Sequence, residues 1–337
     1  MCTRYSKIRF LVLLCGVLFT FSLAQSAFAA NTINWRFFSY VSPADFHSHM
    51  NKALAEDITK ATGGRLTITH YGAGELPYRA GDVLRAVATN QIQMGQVGAG
   101  LVAGDVPELD VFSLPFLCTD FKGFAAAVQA IGDIPDRVLT ERFKVRVLIN
   151  WPIPGQNIWS TEKIASIGEL KGKKIRTWNP MQVEMLKLLG AVPTSIDPAE
   201  VVPALQRKVV DGAITSALSA NDWKAYTLIR YGYMLNFTMA HQFTLANAAA
   251  LESLPPDLRK IVQDKIEEWT PKYFEAAEQA DRAALENMQK HGVTLTQPTA
   301  ADLEHVRQLL RPLWDSWAKA NGPVAADLLQ RVMKAVQ

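Results

Sequence analysis

Residues 95–104 read GQVGAGLVAG, and this stretch decides between two kinds of α/β fold. From Gly98 onward it approaches the glycine-rich fingerprint of a dinucleotide-binding turn. That fingerprint requires a strand before it and a long helix directly after it. A strand-like segment does precede it, but Gly104, Asp105 and Pro107 interrupt the chain where the helix should run. We therefore reject a dinucleotide site. We expect these glycines to let the backbone come close to another group at the end of a strand, which is where ligands bind in open α/β sheets.

Strand-like and helix-like segments alternate on both sides of this stretch. INWRFF at 33–38 and RLTITHY at 65–71 have strand character, and helical segments follow them at about 44–62 and 81–90. This β-α-β-α-β order predicts a parallel sheet covered by helices. A second, similar series begins after the strand VRVLINW at 145–151, so the expected fold class is α/β with two lobes.

Residues 257–290 form the longest segment with helical periodicity. Apolar residues recur in it at steps of three and four, namely Leu258, Ile261, Val262, Ile266, Trp269, Tyr273 and Ala277. A helix of this length would measure roughly 50 Å, which is more than one lobe can bury. We expect it to span both lobes, with a kink at Pro271.

The first 29 residues have the pattern of a cleaved secretory signal peptide. A basic start with Arg4, Lys7 and Arg9 precedes the apolar run 10–23, and AFA follows at 27–29. The protein is therefore expected in the periplasm. The remaining 308 residues (337 − 29) exceed what one hydrophobic core usually organises. We assign the chain as follows: signal peptide 1–29, lobe 1 at 30–153 and 241–280, lobe 2 at 154–240 and 281–337.

Composition excludes several classes of function. The signal contains three of the 35 basic residues and none of the 32 acidic ones, so the mature chain has no net charge and no electrostatic reason to bind nucleic acid. Cys118 is the only cysteine after the signal, which excludes an intrachain disulfide and a zinc site with several cysteines. His47 and His49 lack the spacing of a helical metal-ligand pair. We expect no metal and no cofactor.

Arg176 is the residue that most clearly indicates a binding site. It lies near the end of an apolar strand in LKGKKIRTWNP at 170–180. A guanidinium there offers a planar fork that matches a carboxylate through two parallel hydrogen bonds. The alternative is a structural ion pair with a neighbouring Asp or Glu. The sequence contains no GxSxG, HExxH or P-loop motif, so we expect a binding site and not a catalytic one.

Three segments together resemble TRAP-transporter solute-binding proteins of the DctP type. They are GELKGKKIRTWN, the following LGAVPTSIDPAEVVPALQRKVVDGAITSA at its spacing, and LESLPPDLRKIVQ at the start of the long helix. The similarity extends from about residue 33 to 310. It implies a periplasmic binding protein fold, in which two hinged α/β lobes close on a ligand and a long helix spans both. It also implies partners, the small and large integral membrane subunits of the transporter.

The resemblance also implies site residues. The family's carboxylate-binding arginine falls on Arg176, a position that is often arginine falls on Gln156, and one that is often asparagine falls on Thr215. Because glutamine keeps hydrogen-bond donors but lacks a charge, the pocket suits one carboxylate better than two. Trp178 offers a flat apolar wall, with core packing as the alternative.

Three further residues are candidates for the site by their positions alone. Asn179 lies at the same strand end as Arg176. Tyr40 and Glu75 follow the first two strands of lobe 1, where the opposite face of the cleft is expected, although a surface position fits them equally well. In the cleft, Glu75 would bind a hydroxyl or an amine.

We therefore expect a monomeric periplasmic solute receptor of a TRAP transporter. Its expected ligand is a small organic monocarboxylate, a hydroxy, oxo or cyclic acid that is enclosed as the lobes close. One alternative is a receptor for an ABC-type importer, which the genes of the membrane subunits would distinguish. The other is a secreted two-domain α/β lyase or hydrolase, which turnover of a bound acid would reveal.

Overall fold

The computed structural model describes residues 32–336, so the signal peptide interpreted at 1–29 lies outside it. The strands of this region are β1 (Ile33–Phe38), β2 (Leu66–Tyr71), β3 (Met94–Gly98), β4 (Val145–Ile153), β5 (Asn157–Ser160), β6 (Lys174–Thr177), β7 (Val192–Ser195), β8 (Gly212–Thr215), β9 (Tyr231–Tyr233), β10 (Ala240–Asn247) and β11 (Thr294–Thr296). Its α-helices are α1 (Phe46–Ala61), α2 (Val83–Ala88), α3 (Phe121–Ile131), α4 (Ile134–Phe143), α5 (Pro180–Leu188), α6 (Val201–Gln206), α7 (Ala217–Asp222), α8 (Ala248–Ser253), α9 (Pro256–Lys290), α10 (Ala300–Leu310) and α11 (Pro312–Val336). Over residues 32–336, no helix combines the length and the hydropathy that a membrane span requires.

The strands form two sheets, one in each lobe. The first has the order β2-β1-β3-β10-β4 and the second the order β11-β9-β5-β8-β6-β7. Strands β1, β2 and β3 are parallel, as the alternating pattern predicts, whereas β10 runs antiparallel to both β3 and β4. The expected fold class, two-lobe α/β, is confirmed, but both sheets are mixed and not purely parallel.

Strand β10 is buried along its whole length although its sequence, AHQFTLAN, is rich in polar residues. It is inserted between β3 and β4, where both of its edges are hydrogen-bonded. A buried polar side chain is costly unless it finds a partner. The buried polar residues of β10 therefore indicate a polar region of the interior, next to the segments that cross between the lobes.

Two chain segments cross side by side between the sheets. One links β4 to β5 and the other links β9 to β10. The backbone N–H of Gln156 donates to the carbonyl oxygen of Thr238 at 2.8 Å, and that of Phe237 donates to the carbonyl oxygen of Gln156 at 3.2 Å. These paired crossings lie where a hinge is expected in a two-lobe receptor.

Helix α9 joins the lobes a third time, as its length predicts. Leu258, Val262 and Tyr273 pack into the core under the first sheet. Further along the same helix, Ala284 and Met288 pack into a core of the second lobe. The helix continues from residue 256 to 290 through Pro271 without interruption.

The C-terminal helices divide between the lobes, which corrects one part of the sequence assignment. Helix α10 packs on the second lobe, as expected for 281–337. Helix α11 instead packs into the core of the first lobe, where Leu328 lies in the same cluster as Phe112 and Phe124. An amphipathic pattern shows that a helix has a buried face but not which lobe covers it. The other lobe boundaries remain predictions.

Candidate functional site

A small cavity lies between the lobes, beside the paired crossings. About 30 Å³ of it is open to the centre of a water-sized sphere, and its empty space is about 390 Å³ when the open rim is counted. Five of the seven site residues predicted from the sequence line it, namely Tyr40, Gln156, Arg176, Trp178 and Thr215. It is lined as well by four notable residues that the sequence analysis did not propose as ligand contacts: His47, Ser219, Trp223 and Gln242.

Arg176 is the charged group of this cavity. Strand β6 holds it in the interior, where it is 1% exposed. Its Nε donates to the carbonyl oxygen of Ile196 at 2.9 Å, and its Nη1 donates to that of Ile214 at 3.1 Å. Its Nη2 is buried and has no hydrogen-bond partner among residues 32–336. The guanidinium is thus held in place by backbone carbonyls while one of its nitrogen atoms remains available.

The electrostatic environment of Arg176 fits an anion site. Burial lowers the pKa of Arg176 to about 9, and the nearby Asp197 and Tyr40 oppose this shift. The ring of Trp223 lies 5.7 Å from the guanidinium carbon, a cation–π arrangement. The hydrogen bonds of Arg176 within the chain go to carbonyl groups and not to a carboxylate. Because a buried charge without a partner costs several kcal/mol, the site calls for an anion from outside the chain.

Gln242 of β10 provides a second unsatisfied donor on the other lobe. It is fully buried, and its Oε1 accepts a hydrogen bond from the Tyr40 hydroxyl at 2.7 Å. Burial raises the pKa of Tyr40, so that its hydroxyl keeps the proton it donates. The Nε2 of Gln242 has no partner within the described chain. Gln242 is paired with Gly98 of β3, where a Cβ atom would lie 2.8 Å from that Nε2. A glycine of the GQVGAGLVAG stretch thus makes room for a polar group of the site.

Gln156 and Thr215 line the cavity from the second lobe. The Nε2 of Gln156 donates to the carbonyl oxygen of Pro154 at 2.8 Å, and its Oε1 accepts from Trp178 Nε1 at 3.3 Å. These bonds fix the amide beside the indole ring and leave one N–H for a ligand. The carbonyl oxygen of Thr215 accepts from Trp159 Nε1 at 3.0 Å, and Trp159 itself belongs to the core.

Two predicted site residues lie outside the cavity. Asn179 caps helix α5, where its Oδ1 accepts from the backbone N–H of Gln182 at 2.8 Å, while its Nδ2 donates to Ser113 Oγ at 3.1 Å. Glu75 is exposed, and its Oε2 accepts from the backbone N–H of Gly72 at 2.7 Å within its own turn. The sequence placed both near the correct strand ends, but local hydrogen bonds occupy their side chains.

We expect Asn179→Ala to lower the free energy of unfolding by about 1 kcal/mol, because the first turn of α5 loses its cap. Asn179→Asp should retain stability, since it keeps the accepting oxygen and adds a negative charge at a helix N-terminus. Chemical denaturation of both variants measures the difference. Equal destabilisation by the two substitutions would show that the bond to Ser113 matters more than the cap.

The two lobes touch beside the cavity. A Cβ atom on Gly100 of lobe 1 would lie 2.6 Å from Cζ3 of Trp178 and 2.9 Å from Cβ of Asn179, both in lobe 2. The backbone N–H of Phe46 donates to Asp222 Oδ2 at 2.9 Å, also between lobes. The structure therefore shows a closed arrangement, in which the lobes are in contact around the cavity.

A wider cleft adjoins the cavity on its outer side. It has an empty volume of about 1490 Å³ and shares Tyr40, Leu101 and Trp178 with the cavity. Asp197 lies in this cleft, where burial raises the pKa of its carboxyl group and the charges of Arg176 and Arg79 oppose that shift. Within the described part of the chain, no group of three or more His, Cys, Asp or Glu side chains is placed to hold a metal ion.

Comparison with known proteins gives one consistent result. The family model described as DctP, bacterial extracellular solute-binding protein, family 7, matches residues 38–320. The sialic acid-binding periplasmic protein SiaP of Vibrio cholerae serotype O1 is 22% identical over 315 residues, covering 92% of this chain and 95% of SiaP. The ectoine-binding periplasmic protein TeaA of Halomonas elongata is 23% identical over 322 residues, covering 92% of each chain.

Solved structures show the same similarity. DctP7, an extracytoplasmic solute receptor of Bordetella pertussis that binds pyroglutamic acid, has a TM-score of 0.85 at 22% identity, covering 89% of this chain and 99% of that one. A TRAP periplasmic solute-binding protein of Ralstonia eutropha H16 with bound (S)-2-acetolactate has a TM-score of 0.82 at 25% identity, covering 90% of this chain and 98% of that one.

Proposed function

The chain belongs to the DctP family of bacterial extracellular solute-binding proteins, and from this premise we propose that it captures a small organic monocarboxylate. Members of this family are extracytoplasmic receptors of TRAP transporters and not enzymes. Family membership therefore confirms the expected class and overturns the alternative of a secreted lyase or hydrolase. Family membership also favours a receptor of a TRAP transporter over a receptor of an ABC-type importer.

The observation that carries the proposal is the unpartnered Nη2 of Arg176. This atom belongs to a buried cation that lines a cavity and forms no ion pair with a carboxylate in the part of the chain that the structure describes. A ligand carboxylate beside it would receive a charge-assisted hydrogen bond. In a site that excludes water, the same pair is stronger than in solution, because the effective dielectric constant is lower.

The other lining residues favour a single carboxylate. Arg176 is the one Arg or Lys that lines the cavity within residues 32–336, and Gln156 adds no charge. Val41, Leu101 and Ile153 give it apolar walls, which suit a ligand with some apolar surface. The cavity is also small, with about a quarter of the empty volume of the outer cleft. Among similar proteins, those of B. pertussis and R. eutropha bind pyroglutamic acid and acetolactate, each of which has one carboxylate.

The ligand also explains how the lobes would be kept closed. Arg176 comes from lobe 2 and Gln242 from lobe 1, and each presents a buried donor without a partner. Closing an empty cavity would leave both donors unsatisfied, at a cost of about 1–3 kcal/mol for each. A carboxylate between them removes this cost, so the ligand shifts the population towards the closed form. The small and large membrane subunits would then recognise that form.

Calorimetry and mass spectrometry on the mature protein test this proposal. The protein should be unfolded and refolded first, so that a retained ligand does not block the site. We expect a monomer that binds at least one small monocarboxylate more tightly than the dicarboxylate of the same length. The molecule released by denaturing the untreated protein should itself be an acid. A co-purified cation, or a preference for dicarboxylates, would contradict the proposal.

A further inference from the structure

His47 is a polar group of the cavity that the carboxylate anchor does not use. It lies at the start of helix α1, is 1% exposed and lines the cavity from lobe 1. Its ring is packed against Trp151, with centroids 4.9 Å apart, and against Phe46, with centroids 5.4 Å apart. The imidazole is therefore held in one position by its neighbours.

The two nitrogen atoms of the ring have different surroundings. Nδ1 lies 2.9 Å from Oδ1 of Asp45, the residue that caps α1. Because a carboxylate only accepts hydrogen bonds, Nδ1 holds a hydrogen, and in the neutral imidazole Nε2 holds the lone pair. Nε2 is buried and has no partner in residues 32–336. In the second carboxylate nearby, that of Asp222, Oδ2 accepts from the backbone N–H of Phe46 at 2.9 Å.

An unpartnered nitrogen does not by itself indicate a ligand. Nδ1 of His241 is also buried and has no partner among the described residues, but His241 does not line the cavity and packs among Phe112, Phe124 and Phe243. What distinguishes His47 is that it faces the same cavity as Arg176 and Gln242.

Three residues that line this cavity each have one buried atom without a partner in residues 32–336, and the three atoms differ in character. Nη2 of Arg176 and Nε2 of Gln242 are donors, so an acceptor such as a carboxylate satisfies them. In the neutral imidazole, Nε2 of His47 is an acceptor, and a carboxylate has no hydrogen to offer it. The remaining partner must be an O–H or N–H group on the same ligand.

We infer that His47 accepts a hydrogen bond from the solute, and that the receptor selects hydroxy acids or lactam-type acids over acids without a donor. This inference rests on the proposed function, in which Arg176 holds the carboxylate. His47 then acts as a residue that determines specificity within the monocarboxylates. An acid with a keto group, or with no polar substituent, leaves the imidazole unsatisfied when the lobes close.

Two matched sets of acids test the inference by calorimetry on the refolded mature protein. Lactate, pyruvate and propanoate differ only at the second carbon, and pyroglutamate and cyclopentanecarboxylate form a cyclic pair. We expect the acid with a donor to bind about 10- to 100-fold more tightly than its partners in at least one set.

His47→Asn is the variant that separates the two nitrogen atoms. Its amide can keep the bond to Asp45, while the atom at the position of Nε2 is lost. In this variant, donor-bearing and donor-free acids should bind with about equal affinity. The change should come from weaker binding of the donor-bearing acid, while the affinity for donor-free acids changes little. His47→Gln places a polar group near the position of Nε2 and should keep part of the preference. His49→Asn, at an exposed position of the same helix, is the matched control and should change neither affinity.

The outcomes separate this inference from the proposed function. The role of His47 is overturned if the wild type binds donor-bearing and donor-free acids equally. If Arg176→Ala then loses binding of all these acids, the carboxylate site remains in place. A preference for donor-free acids overturns the role of His47 too. Failure of every acid to bind, or binding that Arg176→Ala does not affect, overturns the carboxylate site itself. If His47→Asn does not fold, the wild-type preference and His47→Gln decide.

Discussion

Arg176→Ala is expected to weaken binding of the solute by about 2–5 kcal/mol, roughly 30- to 5,000-fold in Kd. The ligand carboxylate would remain in a closed, apolar-walled cavity without its counter-charge. Arg176→Lys should fall between the wild type and alanine, because an ammonium group keeps the charge but cannot form the planar fork. Calorimetry with the tightest acid of the panel measures both variants.

The same position gives a second, independent result on stability. Within residues 32–336, Arg176 is a buried cation without a carboxylate that forms an ion pair with it, so replacing it by methionine removes a charge and keeps much of the volume. Exchanging buried ionic groups for apolar ones of similar size is often neutral or stabilising. We therefore expect Arg176→Met to weaken binding at least as much as Arg176→Ala does, without lowering the thermal stability of the ligand-free protein.

The control for these variants is Arg207→Ala, which removes an exposed arginine from the same lobe. It should leave both affinity and stability unchanged. Full affinity in Arg176→Ala would eliminate this anchor. A large loss of stability in Arg176→Met would show that the guanidinium is mainly structural, through its bonds to the carbonyls of Ile196 and Ile214.

Gly100→Ala is expected to weaken ligand binding by about 1–3 kcal/mol, roughly 5- to 150-fold, without destabilising the ligand-free protein. In the closed structure, the added methyl group would lie 2.6 Å from the Trp178 ring. Gly100 and Trp178 belong to different lobes, so the clash exists only when the lobes are closed. The backbone φ of Gly100 lies outside the left-handed region, which means that alanine is otherwise tolerated.

Gly104→Ala is the matched control, since a Cβ at that position would have no heavy atom of residues 32–336 within 4 Å apart from its own residue and chain neighbours. It should bind the ligand as the wild type does. Calorimetry gives the affinities, and thermal unfolding without ligand gives the stabilities. If Gly100→Ala lowers the melting temperature of the ligand-free protein as strongly as it lowers affinity, the contact with Trp178 is part of the resting fold and not of closure.

The sequence predicted the parts of the fold that depend on local pattern. Alternation of strand-like and helix-like segments predicted two α/β lobes, because the side-chain period differs between the two kinds of element. The length of the periodic segment at 257–290 predicted a helix spanning both lobes, and α9 does so. Local pattern does not predict the pairing of strand β10, because its antiparallel position between β3 and β4 depends on strands that are distant in the sequence.

The candidate site divides in the same way. Tyr40, Arg176 and Trp178 could be proposed from the sequence because each lies close to the end of a predicted strand, where cleft residues collect. Asn179 and Glu75 lie at such ends too, but hydrogen bonds in their own turns occupy them. Burial and hydrogen-bond partners, which separate these two cases, are properties of the packed molecule.

Gln242 and His47 could not be identified as ligand contacts from the sequence, because no local pattern places them at the cavity. Each enters the cavity only through contacts between distant segments: Gln242 by pairing with Gly98, and His47 by closure of the lobes around helix α1. The sequence by itself determined the α/β class, the long helix and an arginine at a strand end, because these follow from the order of neighbouring residues. Only the tertiary structure decided which polar atoms are left unsatisfied around one cavity, because that depends on how remote strands and two lobes meet.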